Sequence, residues 1–296
     1  MPLCISGLVF GLGPRINAAG RVDHARSAVQ LLLAKDLKEA AFLADKLDAK
    51  NNLRKGIDRK TTEEALAMIQ AKPEYLRAKT TVLFKDSWHK GVVGIVASRC
   101  LEQYYRPTVI LTEARGKATG SARSVAGYNI FQALEACADL LDQYGGHAYA
   151  AGLTLSLSQV EAFQQLFEQV VTDSISVELL VPPQEVDLPL QFEDIDSKFC
   201  NVLKQMAPFG AGNRKAIFVT DNVFARSCTI LKGQHLKLHV HQQDSKHVLE
   251  AIGFGLAHYE PLVRSRKPFR MVYTVEEKYY LAQKSLQLNV KDMQSM

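Results

Sequence analysis

Residues 24–72 contain no proline and are rich in Ala, Leu, Lys, Glu and Arg, a composition that favours helix. Apolar residues such as Leu43 and Leu47 recur at spacings of three and four, which places them on one helical face. The pattern predicts a helix, a short break and a long helix from about Leu37 to Ile69. Pro73 would end the long helix, because proline removes a backbone donor and restricts the residue before it. A helix of this length is typical of a rigid spacer between globular parts.

After Lys79 the pattern changes to short apolar, β-branched runs that alternate with helical stretches. This alternation predicts an α/β domain with a mostly parallel or mixed sheet. Gly91 and Gly94 stand at the start of one predicted helix, where glycine would allow close packing. The predicted strands are 80–84, 107–112, 118–121 and 150–157, and the predicted helices are 92–105, 129–141 and a third that begins near 160.

The run 181–186, VPPQEV, contains two prolines and is typical of a domain linker. Beyond it, short β-rich runs separated by turn signals predict a small barrel or sandwich. At 296 residues the chain is long enough for two domains and connecting structure. The predicted strands are 186–190, 216–220, 223–231, 236–241, 248–253, 269–275 and 279–290, with one helix at 197–206.

The composition excludes several classes of protein. Hydrophobic residues make up 47% and charged residues 23% of the chain, as in globular proteins that bury a core. No stretch approaches the roughly 18 consecutive apolar residues of a membrane span. The N-terminus lacks the basic residue that opens a secretory signal. The five cysteines are scattered without a CxxC pair, which indicates reduced thiols in a cytoplasmic protein and argues against a zinc cluster.

Positive charge is concentrated in two parts of the chain, although the net charge is only +5. Residues 1–60 hold eleven Lys and Arg against six Asp and Glu, and residues 226–273 hold eight against three. Two basic regions of this kind are compatible with binding of a polyanion and equally with solvated surfaces. Charge alone does not decide between the two.

Glycines and basic side chains are combined in residues 11–21, with the sequence GLGPRINAAGR. Glycine permits close backbone approach, and the guanidinium groups of Arg15 and Arg21 can form charge-assisted bonds to phosphate. Asn17 adds an amide to the same segment. The segment therefore fits a phosphate site, or a turn into a helix whose arginines cap neighbouring chains.

Ser121 and Arg123 stand two residues apart on a predicted strand, so their side chains point to the same face. Together they could hold one phosphate or carboxylate, or form a surface strand with an incidental ion pair. Gly145 and Gly146 predict a turn whose amides face an anion. His147 follows directly and could donate to a phosphate oxygen or transfer a proton, although a single histidine is more often structural.

The strand around residues 234–241 alternates polar and apolar side chains. Its leucines and valine are predicted to face inward. The other face, with three histidines, could contact DNA, remain simply solvated, or bind a metal. The residues of that face are His235, Lys237, His239 and His241.

The last predicted domain also carries cations and aromatic residues that suit a nucleic acid. The run 207–213, APFGAGN, predicts a tight turn with an aromatic plug before its strands. Four cations are expected to add sequence-independent phosphate affinity, namely Arg264, Arg266, Lys267 and Arg270. Five aromatic residues are candidates for stacking on bases, although packing in the core is their commoner fate: Phe254, Tyr259, Tyr273, Tyr279 and Tyr280.

These segments together resemble the RecJ branch of the DHH phosphoesterase superfamily. GPRINAAGR is similar to the segment that closes that family's catalytic domain, and the helical run around Asn51, Asn52, Arg54 and Lys55 is similar to its long connecting helix. WHKGVVGIVA, SARS and GGHAYAAG resemble its DHHA1 domain, and PFGAGN resembles the start of its oligonucleotide-binding (OB) barrel. The resemblance extends over nearly the whole chain.

The resemblance implies an α/β fold in which a DHHA1-type domain with a long N-terminal connecting helix is followed by a small OB-like β-barrel. Residues 1–75 would form the end of the catalytic-domain junction and the connecting helices. Residues 76–180 would form the DHHA1-type domain, and residues 184–296 the barrel.

The implied function is that of the substrate-binding, C-terminal portion of a single-stranded-DNA-specific 5′→3′ exonuclease in DNA repair and recombination. Nucleotide phosphates beside the catalytic centre would be held by Ser121, Arg123, Gly145, Gly146 and His147, with His147 also in a catalytic role. The junction of the active-site cleft would be lined by Arg15, Asn17 and Arg21. The barrel would bind the strand through Lys237, His239, Arg264, Arg266, Lys267 and Arg270.

In such nucleases a pair of Mn²⁺ or Mg²⁺ ions activates water for attack on the phosphodiester. This chain has no Asp-His-His motif, and Asp23-His24-Ala25 is only superficially similar to it. The metal ligands are therefore expected upstream of Met1, no cofactor is expected in this chain, and the chain alone would be inactive. Asn213-Arg214 also stands where the family often has Asn-Pro.

Two other functions stay open at this point. The chain could be a stand-alone module that binds single-stranded nucleic acid without cutting it. It could also be a DHH-superfamily phosphodiesterase of short oligonucleotides or pyrophosphate. The barrel after Pro183 argues against the latter, because small substrates need no additional strand-binding domain. The expected partners are single-stranded DNA and other DNA-repair proteins, with no membrane.

Overall fold

The computed structural model describes residues 5, 7–210, 212–243, 245, 247–280 and 283–296, and the side chains of all of these except 279, 280, 283 and 284. The residues form two compact units. The first unit is Gly7–Pro182, and the second contains Pro183–Met296. No helix within the described ranges is both long and apolar enough to cross a membrane.

The first unit begins with a π-helix, Gly7–Leu12, followed by the helices α1 (Gly13–Val22), α2 (Arg26–Leu33), α3 (Leu37–Ala71) and α4 (Pro73–Arg77). The predicted long helix is confirmed by α3, in which Leu43 and Leu47 are buried. It begins after Asp36, whose carboxylate accepts a hydrogen bond from the backbone N–H of Glu39 at 2.8 Å, and it ends before Pro73. The segment GPRINAAGR forms α1 itself, so the alternative of a turn before a helix is wrong.

The rest of the first unit consists of β1 (Thr81–Phe84), α5 (Val93–Tyr104), β2 (Thr108–Ala114), β3 (Lys117–Arg123), α6 (Ile130–Glu135), β4 (Gln143–His147), β5 (Ala150–Ser156) and α7 (Val160–Ser174). The strands form one sheet in the order β1-β2-β3-β5-β4. β1 and β2 are parallel, and the other neighbours are antiparallel. The predicted mixed sheet is therefore confirmed.

Alternate residues of β1 and β2 separate onto the two faces of this sheet. On one face, Val109 and Leu111 pack in a core with Phe163 of α7. On the other face, Leu83 and Ile110 pack in a core with α5 and the end of α3. These residues are all fully buried, so both faces of the central strands are covered and the sheet is a rigid support.

Gly145 and Gly146 lie within β4, so the predicted Gly-Gly turn is wrong. The hairpin between β4 and β5 turns instead at residues 148–149. Gly146 has a φ of 151°, and a Cβ there would lie 2.4 Å from the carbonyl oxygen of Ala150. Glycine is therefore needed for the close approach of the two strands. The predicted helix 129–141 is divided into α6 and a 3-10 turn at Ala138–Leu140.

The second unit contains β6 (Leu188–Pro189), α8 (Ser197–Gln205), β7 (Phe218–Leu231), β8 (His235–Gln242), β9 (Leu249–Gly253), α9 (Glu260–Arg264), β10 (Phe269–Tyr280) and β11 (Gln283–Ser295). The strands are ordered β10-β11-β9-β8-β7-β6, and β10 also pairs with β7. The sheet therefore curls back on itself in the OB-like manner predicted. Its core includes Phe192, Leu238, Tyr273 and Leu288.

The boundaries of several strands in the second unit differ from the prediction. The runs 216–220 and 223–231 belong to the single strand β7, which continues through Asn222 in a left-handed conformation with a φ of 57°. The predicted strand 279–290 begins at the end of β10 and continues in β11, and its residues 281 and 282 lie outside the described residues. These boundaries depend on pairing between strands, which the local pattern does not carry.

The run 207–213 forms the predicted tight turn, of which residue 211 lies outside the described part. Gly210 and Asn213 exchange backbone hydrogen bonds of 2.8 and 3.1 Å. The side-chain amide of Asn213 donates to the carbonyl oxygens of Met206 and Pro208 at 2.9 and 3.0 Å. Asn213 therefore closes the turn from both its backbone and its side chain.

We predict that the alkaline stability of the second unit depends on Tyr273. Burial raises the pKa of its phenol to about 12, and the hydrogen bond with Thr220 opposes this only in part. An unfolded tyrosine titrates near pH ~10. The stabilisation is therefore fully present below that pH and is lost as the pH rises through about 12. Tyr273→Phe should flatten the fall of the thermal midpoint over this range in circular dichroism, and an unchanged slope would contradict the assignment.

Candidate nucleic-acid interface

Ser121 and Arg123 lie on the same face of β3, as predicted, and contact each other directly. The Nη1 group of Arg123 donates to the Ser121 hydroxyl at 2.6 Å and to the carbonyl oxygen of Ala122 at 2.8 Å. Among the described residues, no carboxylate forms an ion pair with Arg123. The positive charge of Arg123 is therefore available to an external anion.

Gly94 brings the first turn of α5 against these two side chains, which confirms the close packing predicted there. A Cβ at Gly94 would lie 2.9 Å from Nη2 of Arg123 and 3.2 Å from the Ser121 hydroxyl, so glycine keeps this space open. The first turn of a helix has backbone N–H groups without helical partners and a partial positive charge. An anion beside Arg123 would meet the guanidinium and the positive end of α5 together.

Arg21 joins these residues from the last turn of α1. Its Nη1 group donates to the carbonyl oxygen of Gly91 at 3.1 Å, and a Cβ at Gly91 would lie only 2.1 Å from the Arg21 carbonyl oxygen. Burial lowers the pKa of Arg123, and the positive charge of Arg21 lowers it further. The two guanidinium groups therefore repel each other, and a bound anion would offset the repulsion. We call Arg21, Ser121 and Arg123 the anion cluster.

Arg15 and Asn17 lie outside the anion cluster, although they belong to the same segment as Arg21. Arg15 forms an ion pair with Asp48 of α3 and donates from Nη1 to the carbonyl oxygen of Gly11 at 2.7 Å. Asn17 is exposed on α1. Arg15 precedes Arg21 by six residues, which corresponds to about 9 Å of helix rise. The structure therefore brings Arg21, rather than Arg15, to the strand residues.

The strand register extends the same sheet face from the anion cluster to the Gly-Gly-His segment. Arg123 pairs with Ala150, and Ala150 pairs with His147, so the three lie in one row across β3, β5 and β4. Ser121, Gly152 and Gly145 form the next row on the same face, two residues further along each strand. Residues that face each other across strands project to the same side. Arg123 and the exposed His147 therefore share one face of the sheet.

Small residues leave a cavity of about 330 Å³ over this part of the sheet. Its lining includes Gly145, Gly152 and the hydroxyl residues Thr119 and Thr154, whose oxygens are 3.3 Å apart. Because the glycines have no side chains, a ligand could lie directly on the strands. Gly145 and Gly152 of the cavity lie in the same row as Ser121 of the anion cluster, an arrangement that suits a phosphate with an attached organic group.

In the second unit, β8 has the alternation predicted for it, with its leucines and valine buried. On the opposite face, Lys237 pairs with Glu250 at 2.9 Å, and Glu250 also pairs with Lys278 at 3.1 Å. Burial by itself would raise the pKa of Glu250, but the hydrogen bonds from the two lysines outweigh it and lower the pKa. Nδ1 of His239 lies 2.8 Å from the Ser227 hydroxyl. Glu250 therefore pairs with one lysine from β8 and one from β10.

The histidines of β8 contact separate partners. Nδ1 of His235 accepts a hydrogen bond from the backbone of Gly255 at 3.0 Å, and the ring packs edge-on against Phe254. The ring of His241 stacks on Phe224 with centroids 5.9 Å apart. The described part of the chain contains no group of three or more His, Cys, Asp or Glu that could hold a metal ion. The described residues therefore do not fit a divalent-metal centre.

Two of the four predicted cations near α9 are matched by carboxylates. Arg264 pairs with a glutamate one helical turn earlier at 2.7 Å, and Arg270 binds Asp221 through two nitrogens at 2.5 and 3.0 Å. The hydrogen bond from Arg270 lowers the pKa of the Asp221 carboxyl. Arg266 and Lys267 are exposed and form no ion pair within the described residues. They are the cations of this loop most available to phosphate.

The five aromatic candidates for base stacking have different environments. Tyr273 is fully buried, and Tyr259 is half-buried, where burial and a hydrogen bond to a carboxylate raise its pKa to about 12. The side chain of Phe254 is exposed. The side chains of Tyr279 and Tyr280 lie outside the described part. Among the described side chains, Phe254 is therefore the aromatic candidate that a base could reach.

Two family models match the chain, and each falls within one of its compact units. The DHHA1 domain model matches residues 77–173, and the RecJ OB domain model matches residues 186–292. The matches agree with the sheet order of the first unit and the curled sheet of the second. They confirm both domain types that the sequence resemblance implies.

Curated relatives match along most of the chain. The single-stranded-DNA-specific exonuclease RecJ of Bacillus subtilis is 33% identical, over 96% of this chain and 36% of the relative. The enzyme of the same name from Salmonella typhimurium is 33% identical, over 98% of this chain and 52% of the relative. The chain thus spans about a third to a half of the length of these relatives.

Solved structures give the same result. RecJ from Thermus thermophilus in complex with Mn²⁺ superposes with a TM-score of 0.85 at 26% identity, covering 99% of this chain and 42% of that chain. The same protein in complex with Mg²⁺ gives a TM-score of 0.81 at 28% identity, covering 99% and 44%. An exonuclease RecJ bound to manganese is 37% identical with a TM-score of 0.51, covering 59% and 44%. With both domains in order and RecJ relatives aligned along nearly its whole length, the chain belongs to the RecJ family.

Proposed function

We propose that this chain is the substrate-binding portion of a RecJ-type exonuclease that degrades single-stranded DNA from its 5′ end. One observation carries the proposal: Arg123, which has no carboxylate partner among the described residues, lies near Arg21 and against the first turn of α5. Two such guanidinium groups without a counter-charge attract an anion. A phosphate monoester carries close to two negative charges at neutral pH, so a terminal phosphate matches the anion cluster.

In this proposal the anion cluster takes the 5′-phosphate, and the cavity over β4 and β5 takes the attached nucleoside. Gly145 and Gly152 allow the ligand to approach the strands, Gly146 allows β4 to pack closely on β5, and His147 donates to a phosphate oxygen or exchanges a proton with it. The setting is DNA repair and recombination in the cytoplasm, together with other repair proteins.

The proposal separates strand binding from hydrolysis of the phosphodiester. The RecJ structures described above hold Mn²⁺ or Mg²⁺, ions that activate water for attack on a phosphodiester. The described residues of this chain include no group that could hold such an ion. We therefore assign them the binding and orientation of the strand, and no bond-breaking step.

The second unit would add affinity for the strand without reading its sequence. Phe254 offers a surface for base stacking, and the polar face of β8 offers Lys237 and His239. Arg266 and Lys267 offer charges that no described carboxylate neutralises. This combination of cations and an exposed aromatic ring is typical of OB-type single-strand binding.

We predict that neutralising Arg266 and Lys267 together will lower the salt dependence of single-strand binding. Each phosphate contact contributes about 0.7 to the slope of log affinity against log salt, so the double change to Gln should reduce the slope by about 1.4. The matched control replaces the Arg270–Asp221 pair by Gln and Asn, which leaves the net charge unchanged. Anisotropy of a labelled oligothymidylate gives both slopes, and equal slopes for variant, control and parent would refute the assignment.

The proposal as a whole is tested by titrating a labelled, 5′-phosphorylated single strand with the purified chain in the presence of manganese. Retention and cleavage of the strand are scored in the same samples. We expect retention without cleavage. Failure to retain the strand would overturn the binding role, and metal-dependent cleavage by the clean protein would overturn the restriction to binding.

A further inference from the structure

A basic cavity of about 620 Å³ lies among the helices of the first unit. The function proposed above does not use it. Helices α1, α3 and α5 all contribute to its lining, which we call the helix cavity. Five of its side chains are basic and one is acidic, namely Arg15, Arg54, Lys55, Arg59, Arg99 and Asp58.

The floor of the helix cavity is a buried polar centre around Asp58. Its Oδ2 atom accepts from Arg99 at 2.8 Å and from Arg54 at 3.4 Å, and the side chain is fully buried. The side-chain oxygen of buried Asn51 accepts a further bond from Arg54 at 2.8 Å. One carboxylate therefore holds two guanidinium groups in fixed orientations, and the centre keeps a net positive charge.

One atom of this centre lacks a hydrogen-bond partner. Oδ1 of Asp58 is buried and makes no hydrogen bond within the described residues. Buried polar atoms in native proteins are almost always satisfied by protein, water or a ligand. Oδ1 of Asp58 is therefore an acceptor that a hydroxyl group or a bridging water in the cavity can satisfy.

Two further cations, Lys55 and Arg59, line the helix cavity and pair with no carboxylate in the described part of the chain. Lys55 and Arg59 are four residues apart on α3, so they lie on one stripe of the helix, and both are exposed without an ion pair among the described residues. Gly56 lies between them, although glycine disfavours the interior of a helix. A Cβ at Gly56 would meet nothing within 4 Å, so packing does not require the glycine. Gly56 itself lines the helix cavity.

We propose that the helix cavity is a second phosphate-binding site, which takes an internal phosphate of a bound strand or the phosphate of a free nucleoside monophosphate. Lys55 and Arg59 supply the uncompensated charge. Arg54 and Arg99, held by Asp58, supply donors of fixed direction, which suit the oxygens of a phosphate. The excess of positive charge excludes a cationic ligand. The proposal stands independently of the anion cluster.

The test uses the double variant Lys55→Gln, Arg59→Gln in the full chain. It leaves Asp58 with both of its arginines, so the fold should persist, and an unchanged thermal midpoint verifies this. The matched control is Lys35→Gln, Lys38→Gln, which removes the same charge from exposed positions. Lys38 precedes Lys55 on α3 by about 25 Å of helix rise.

Two probes are used, an oligothymidylate of about 20 nucleotides with a 5′-hydroxyl end, and thymidine monophosphate. For the oligonucleotide we expect the variant to bind about tenfold more weakly, with a salt slope lower by about 1.4, while the control changes less than about twofold. A loss confined to thymidine monophosphate would also support the site and would identify free nucleotide as its ligand. If the variant binds both probes as the control does, the proposal is wrong.

The same measurements separate this site from the proposed function. Loss of preference for a 5′-phosphate in Arg123→Ala concerns the anion cluster alone. The oligonucleotide probe has no 5′-phosphate, so the terminal-phosphate contact assigned to the anion cluster does not contribute to its binding, and thymidine monophosphate is titrated in the Arg123→Ala background to exclude that contact. The helix cavity is therefore supported or overturned by the Lys55 and Arg59 variant, whether or not the anion cluster holds a strand end.

Discussion

Arg123→Ala should lower the affinity of the chain for a 5′-phosphorylated single strand by about 10- to 100-fold. A hydrogen bond to a charged group contributes about 1.5–3 kcal/mol, and 1.4 kcal/mol corresponds to a factor of ten. The fold should persist, because the bonds that Arg123 makes within the described residues stay on its own strand, with Ser121 and Ala122. Fluorescence anisotropy with 5′-phosphorylated and 5′-hydroxyl strands measures the loss and shows whether it depends on the terminal phosphate.

The matched control for this change is Arg77→Ala. It removes the same charge from an exposed position at the end of α4. Its effect should be small, and the preference for the phosphorylated strand should persist. If Arg123→Ala instead binds both strands with the parent's affinities, the anion cluster is not the phosphate site.

Gly91→Ala should destabilise the first unit and weaken binding at the same time. A Cβ at this position would lie 2.1 Å from the carbonyl oxygen of Arg21 and 2.9 Å from its carbonyl carbon, so the backbone of α1 has to move away. Overpacking of this kind costs about 1–3 kcal/mol of unfolding free energy. The movement carries Arg21 away from Arg123. We therefore expect a lower thermal midpoint and an affinity for the phosphorylated strand reduced about tenfold.

Gly56→Ala also replaces a glycine by alanine, but we expect it to raise the unfolding free energy instead of lowering it. It lies inside α3, and its Cβ would meet nothing within 4 Å. Alanine should therefore raise the unfolding free energy by about 0.5–1 kcal/mol, measured by chemical denaturation. A Gly91→Ala protein with the parent's stability and affinity would show that α1 is not packed against the Gly91 loop.

Local sequence patterns were sufficient to predict most of the elements. The spacing of Leu43 and Leu47 and the position of Pro73 predicted α3, and strict alternation predicted β8. They were not sufficient for β4. Glycine is depleted in strands, so Gly145 and Gly146 indicated a turn, and they form a strand only because β5 folds back against them.

The candidate site, like the fold, could be predicted from the sequence only in part. That Ser121 and Arg123 share a face follows from the two-residue period of a strand. That Arg21 joins them depends on the packing of α1 against Gly91, a tertiary contact that the sequence does not carry. Arg15, from the same motif, is directed instead to a carboxylate on α3. The motif indicated anion binding without indicating which arginine takes part.

The cations of the second unit illustrate a second limit of sequence patterns. A cluster of Lys and Arg predicts a basic surface, but the surface depends on which of them meet carboxylates from other strands. Arg270 is paired with Asp221 across β10 and β7, and Lys237 with Glu250 across β8 and β9. The pairing of neighbouring strands, rather than the local composition, leaves Arg266 and Lys267 available.

The most direct test of the anion cluster is a crystal structure of this chain with a short 5′-phosphorylated oligothymidylate. We expect phosphate oxygens within about 2.7–3.2 Å of the guanidinium groups of Arg21 and Arg123. The Ser121 hydroxyl and the first turn of α5 should face the same phosphate. A strand bound with its 5′-phosphate elsewhere, and with no anion between these two arginines, would contradict the proposed function.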